Sequence, residues 1–278
     1  MDEAWRRRCL RAMGIQVWVP RAGRPAAAPS PPTSDEAPWV PADALDEARA
    51  EPAAPDAAFR NPPDGPDDPH QRPSGVGVDE AVPGAVADLD WASLQARVAS
   101  CTLCTDLARS RSHTVFGTGD PGADWMFIGE APGAEEDRRG EPFVGRAGRL
   151  LDRMMEALGM DRGQGVYIAN ILKCRPPENR DPRPEEARAC RPYLDRQIAL
   201  VRPRVLVALG RVAAQNLLDT QQPLGRLRGR VLDYRGIPLV VTYHPAYLLR
   251  KPQDKRKAWD DLCLARRAQG GTGPEEPA

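Results

Sequence analysis

The sequence predicts an α/β protein: a three-layer α/β/α sandwich around a central, mainly parallel four-stranded sheet, preceded by a disordered Pro/Ala/Asp-rich N-terminal extension. Three observations carry this expectation. Four short apolar runs follow residue 120, each nearly continuous rather than alternating, as expected of strands covered on both faces. Stretches of helical period lie between them, and strand alternating with helix implies a parallel sheet with helices on both sides. Finally, 15 of the 30 prolines fall in residues 1–90, where clustered Val, Ile and Leu are nearly absent.

Along the chain, "EAWRRRCLRAMG" first places Trp5, Cys9, Ala12 and Met13 on one face of a short helix ended by Gly14. Too short to fold alone, residues 1–20 read as a segment docking on a protein partner, or as a helix capping the chain's own domain. Residues 21–88 read as a disordered acidic linker, because such a stretch buries too little apolar surface to offset its chain entropy. The folded domain is expected over 89–267, large enough for a core of its own, with a disordered tail at 268–278. Within it the strands are "DWMFIG" (124–129), "VYIANI" (166–171), "RVLVALG" (204–210) and "PLVVTY" (238–243). The helices are 146–160, with Leu150, Leu151, Met154, Met155 and Leu158 on one stripe, then 184–201, 211–220 and a C-terminal helical run.

Net charge is zero but unevenly spread. Residues 21–90 carry 14 acidic and 5 basic side chains, residues 1–20 carry +2, and the remainder is therefore +7. A basic domain beside an acidic tail suits a protein that handles phosphate backbones, although a solvated mixed-charge surface gives the same count. No stretch reaches the roughly 20 apolar residues of a membrane span, and the N-terminus lacks the apolar run of a secretory signal. We therefore expect a cytoplasmic monomer without a membrane partner, whose thiols stay reduced.

Four of the six cysteines form C-x2-C, then 69 residues, then C-x15-C: Cys101, Cys104, Cys174 and Cys190. One close pair plus two separately delivered thiols suits an iron–sulfur cluster, while zinc and ordinary buried thiols remain open from spacing alone. Cys9 and Cys263 fall outside the pattern and read as small buried hydrophobes. At the C-terminal ends of the four strands stand "GEAPG" (129–133), Asn170, Gly210 with Arg211, and "HPAYLLR" (244–250). In open parallel sheets ligands bind outside those ends, so these residues are expected to converge on one crevice.

At "GEAPGAEEDRRGEPFVGRAGRLLDRM" (129–154), "YIANILKCRPPENRDPRPEEARAC" (167–190) and "YHPAYLLR" (243–250) the chain resembles the family 4 uracil-DNA glycosylases, over about residues 97–264. The resemblance implies a [4Fe-4S] cluster on Cys101, Cys104, Cys174 and Cys190, uracil-containing DNA as partner, and excision of uracil. Such an enzyme must rotate the nucleotide out of the stack, hold the base, and stabilise charge as the bond breaks. Phe143 is then expected to stack on the base, where core packing is the alternative reading. Asn170 offers an amide donor and acceptor to uracil, with a strand-end cap as its alternative. His244, fixed in extended geometry by Pro245, would donate to the departing uracil anion.

Ala131 stands where another branch of the superfamily has the aspartate that assists water, so the general base is sought elsewhere. The resemblance favours Glu136, with Glu130 as the other catalytic candidate; the cluster Glu135, Glu136, Asp137 would otherwise order the loop. Gly129 and Ala131 complete the base-binding set. For DNA, Tyr247, Leu248 and Leu249 would form a wedge, Arg250 and Lys251 would reach phosphates, and Lys173, Arg175 and Arg180 would make the cysteine loop basic. Two rivals are a superfamily branch that crosslinks to uracil sites and a non-catalytic iron–sulfur DNA-binding module. The first is disfavoured because 173–190 lacks a long basic insertion, the second because Phe143, Asn170 and His244 are all present.

Overall fold

Five residues, Val205–Leu209, form the middle of a six-stranded sheet, and every one of them is buried. The structure is a computed structural model that describes residues 86–270 together with Arg7, Arg11 and Gly14. The readings of 1–20, of nearly all of 21–88 and of most of the 268–278 tail thus lie outside the described residues. The strands are β1 (Thr118–Gly119), β2 (Trp125–Gly129), β3 (Val166–Asn170), β4 (Val205–Leu209), β5 (Val231–Tyr234) and β6 (Ile237–Thr242), in the spatial order β1-β3-β2-β4-β6-β5. The central four are mutually parallel, with Gly129 opposite Asn170 and Leu209 opposite Thr242.

The expected four-stranded sheet is therefore six-stranded, and the two additional strands are its antiparallel edges. Both are short, as edges tend to be, and neither has the unbroken apolar run of a doubly covered strand. β1 is two residues long, and β5 pairs with β6 across the two-residue turn Arg235–Gly236. Both turn residues have positive φ (52° and 85°), the backbone that matches strand twist in a tight hairpin.

The helices are α1 (Trp91–Ala99), α2 (Thr105–Ser110), α3 (Ala134–Arg139), α4 (Arg146–Ala157), α5 (Pro184–Val201), α6 (Arg211–Leu218), α7 (Leu224–Leu227), α8 (Pro245–Arg250) and α9 (Lys255–Ala268). Alternate residues of each strand feed opposite layers. Phe127, Ile168, Val207 and Val240 pack with Leu151 and Met154 of α4, Leu248 of α8 and Trp259 and Leu262 of α9. Ile128, Ala169, Leu206 and Val241 pack with Leu194 and Ile198 of α5 and Ala213 and Leu217 of α6. A third cluster joins Leu94, Val98 and Leu107 of α1 and α2 to Cys174, Cys190 and Tyr193. Among the described residues no helix is long and apolar enough to cross a membrane.

Candidate active site

Every parallel strand ends at the same rim, and the rim holds a pocket of about 500 Å³. Glu130 and Ala131 enter it from the end of β2, Asn170 from β3, and His244 from the end of β6, with Phe143, Glu136 and Arg250 completing the wall. Gly129 makes their approach possible. A Cβ on it would overlap Asn170 Oδ1 and lie 2.6 Å from Phe143 Cζ, so only glycine lets the amide and the ring meet over the strand end.

Asn170 is 2% exposed, and its Oδ1 is a buried acceptor with no hydrogen-bond partner. Leaving such an atom unsatisfied costs about 1–3 kcal/mol, which points to a donor arriving from outside the protein. The Phe143 ring packs near the His244 ring, centroids 5.6 Å apart and planes tilted by 31°. His244 is the N-cap of α8, and its Nδ1 accepts the amide hydrogen of Ala246 at 3.1 Å. That bond leaves the ring proton on Nε2 in the neutral form. Burial, then the Arg250 charge, push the imidazole down to about 4, so at pH 7 it is a neutral donor.

The carboxylates divide their work. Burial, reinforced by Asp181 and opposed by Arg211, pushes Glu130 up to about 7. Glu136 Oε1 instead accepts the amide hydrogens of Val144 and Gly145, both at 3.1 Å, where α4 begins. Glu135 pairs with Arg138, and buried Asp137 accepts from the amides of Ser112 and His113. The acidic cluster is thus the first turn of α3 and a set of loop anchors, with Gly140 closing the helix in left-handed geometry (φ 71°).

Cys101, Cys104, Cys174 and Cys190 line one cavity with Val98, Leu107 and Tyr193. Among the described residues no three His, Cys, Asp or Glu side chains converge as the shell of a single ion. The polar contacts favour sulfur as an acceptor: Arg111 Nη1 donates to Cys174 Sγ at 2.8 Å and the Lys173 amide to Cys190 Sγ at 3.3 Å. Burial pushes the Cys104 thiol up to about 11 and Cys190 up to about 12, so these two become thiolates at neutral pH only when a cationic centre compensates. The donor set fits a polynuclear, thiolate-bound group better than one ion.

The sequence profile of the uracil DNA glycosylase superfamily matches residues 116–263. The chain belongs to this superfamily. It is 46% identical over 173 residues to the type-4 uracil-DNA glycosylase of Archaeoglobus fulgidus, covering 59% of this chain and 86% of that protein. It is 40% identical over 184 residues to the type-4 enzyme of Pyrobaculum aerophilum, covering 63% and 93%. A type-5 uracil-DNA glycosylase of Thermus thermophilus is 39% identical over 118 residues, covering 37% of this chain and 53% of that one.

Within this glycosylase fold two expected DNA contacts are misplaced. Lys173 is 1% exposed, with Nζ donating to the Asn170 carbonyl at 2.8 Å, so it braces β3 rather than facing solvent. Leu248 is fully buried on the inner side of α8, because the segment after His244 is a helix with Pro245 at its first position, and that helix turns Leu248 to the core rather than outward as part of a wedge. Leu249 is 37% exposed and Arg250 is exposed beside the pocket. The two other basic residues expected to face DNA have partners within the chain. Half-buried Arg175 donates to Asn179 Oδ1 at 2.8 Å, and Arg180 meets the buried Glu186 carboxylate through two bonds, at 2.9 and 2.6 Å. The sequence reading missed Asn179 and Asp181, which line the pocket, and Arg162, which holds the Phe143 carbonyl. None of them belongs to a spacing pattern that would have singled it out.

Proposed function

We propose that this chain is a uracil-DNA glycosylase of DNA base excision repair that works through the pocket at the ends of β2, β3 and β6. It takes the uridine out of the stack, holds the base in the pocket and hydrolyses the N-glycosidic bond, leaving an abasic site. The observation that carries this reading is the orphaned Asn170 Oδ1 in the same pocket as His244, whose Nδ1 is committed to the Ala246 amide so that Nε2 is left to donate. Uracil N3–H is the donor that Oδ1 lacks, and the amide nitrogen meets O4; cytosine offers the opposite polarity on both atoms. Phe143 stacks on the base. The His244 N–H donates to O2 as negative charge gathers there, and a neutral donor does so without first giving up its proton.

Of the carboxylates, Glu130 is assigned to the water. It borders the pocket, and an acid group poised near 7 is matched to accepting a proton at neutral pH. Glu136 is assigned to the loop, since one of its oxygens is already committed to two amides. Arg250 and Leu249, on the outward end of α8, are assigned to the backbone and to the gap left by the base.

Cys101, Cys104, Cys174 and Cys190 would hold a [4Fe-4S] cluster, with Arg111 donating to one of the sulfurs. When bound, such a cluster would supply iron–thiolate cross-links between the start of α2, the segment just after β3 and α5. Spaced thiols of this kind also fit a cytoplasmic, reducing environment.

The test is a uracil-containing oligonucleotide incubated with the purified chain and treated with alkali. Scission at the uracil supports the reading, a covalent protein–DNA band points to the crosslinking branch, and an intact strand defeats both. Equal scission by His244→Ala and Asn170→Asp would remove the site assignment while leaving the activity.

A further inference from the structure

We propose that Arg162, held by Asp152, is a positioning residue for uracil excision: it clamps the backbone of Phe143 so that the ring stays where the extruded base stacks. This rests on the stacking role given to Phe143 above. Phe143 is a buried aromatic with φ 55°, in the left-handed region that an L-residue with a bulky side chain leaves when nothing holds it. Relaxation to negative φ would swing the Cα–Cβ bond and carry the ring out of the pocket wall. The strained conformation must therefore be imposed by its surroundings.

Three restraints do so, and they meet from different sides. Arg162, in the loop between α4 and β3, donates from Nη1 to the Pro142 carbonyl at 2.8 Å and from Nη2 to the Phe143 carbonyl at 2.6 Å. Glu136 takes the two amides that follow, Val144 and Gly145. Gly148 of α4 lies so close beneath that a Cβ there would overlap the Phe143 carbonyl and sit 2.9 Å from its Cα. Asp152, one helical turn beyond Gly148, accepts from Arg162 Nε at 3.1 Å and Nη2 at 2.8 Å, so the guanidinium is fixed to the same helix that supports the strained residue. Glu141 adds an ion pair to Nη1 at 3.5 Å. A planar fork serves two carbonyls and a carboxylate together, whereas an ammonium on a flexible stem cannot hold that geometry.

The test is a double-mutant cycle on uracil excision by the full chain, with thermal melting of each variant recorded alongside. Arg162→Ala is expected to lower kcat/KM by about 10-fold in the wild-type background, the scale of a displaced contact group. In a Phe143→Ala background the same change should cost less than about twofold, since the group it positions is gone. Arg162→Lys, which keeps the charge and loses the fork, should recover only a minor part of the loss. Should Arg162→Ala fail to fold, Arg162→Lys and Asp152→Asn run the same cycle. Equal losses in both backgrounds, or full activity without the guanidinium, overturn the inference. If Phe143→Ala alone leaves excision unchanged, the stacking role itself fails and takes the clamp with it, so the single variant tells the two failures apart.

Discussion

His244 Nδ1 accepts the backbone hydrogen of Ala246 at 3.1 Å, so the residue that caps α8 also has its tautomer set by that helix. The cap fixes the ring's direction, and burial together with Arg250 keeps it uncharged. His244→Ala should lower kcat by about 10²–10³-fold, the cost of removing one donor from a developing anion. With histidine neutral down to about 4, the acid limb of kcat/KM should belong to Glu130 and rise through about pH 7. A pH profile from 4.5 to 9 checks this: Glu130→Gln should abolish the limb near 7, and persistence of that limb would give the titration to another group.

The same two groups bear on stability with opposite signs. His244 falls from its ordinary 6.5 to about 4 on folding, so the unfolded chain binds more protons between these values. Stability is therefore unaffected by this group above 6.5 and is lost as pH falls toward 4. Glu130 rises from 4.5 to about 7, so its contribution is full below 4.5 and is lost as pH rises through 7. His244→Asn should consequently lose about 2 kcal/mol less than the wild type between pH 8 and pH 4.5. Urea unfolding at the two pH values measures the difference, and parallel losses would contradict the buried neutral imidazole.

Gly129→Ala probes the base site without touching a functional group. The added methyl would overlap Asn170 Oδ1 and crowd the Phe143 ring, while the strand backbone around it is unaltered. Excision should fall by more than about 10-fold, with far-UV circular dichroism unchanged. Wild-type kcat/KM in the alanine variant would show that amide and ring need not meet over the strand end.

Cys174→Ser removes one of the four sulfurs and the partner of Arg111. We expect loss of the broad visible absorption and of bound iron, and a thermal midpoint lowered by several degrees, before any change in the pocket. A colourless variant that keeps full stability would defeat the cluster's role as a cross-link. Iron content and melting are read on the same preparation, so loss of metal and loss of fold are separated.

Where the sequence was legible, it was legible for physical reasons. Strands such as Val205–Leu209 are buried on both faces, so their apolar runs are unbroken and their ends are read to within about a residue. β5 escaped because one face is exposed, Val231 at 46%, and because the hairpin signal was two residues, Arg235–Gly236, whose positive φ only the turn reveals. The α8 helix carries a legible start in His244 and Pro245, yet the expectation of Tyr247, Leu248 and Leu249 as a wedge takes no account of helical period, which turns Leu248 to the core.

By itself the sequence determined the four parallel strands and the longer helices between them, the crevice at the strand ends and the four spaced cysteines, because these follow from period, composition and spacing along the chain. Only the tertiary structure decided that Lys173 is a buried brace, that Glu136 accepts two loop amides while burial raises Glu130 to about 7, and that Arg162 donates to the carbonyl of Phe143. The reason is the range of the forces involved. A hydrophobic pattern is a local property, whereas burial, a shifted proton affinity and a clamped carbonyl depend on what distant segments bring across the fold: β2 to β3, α3 to the start of α4, and the α4–β3 loop back onto Phe143.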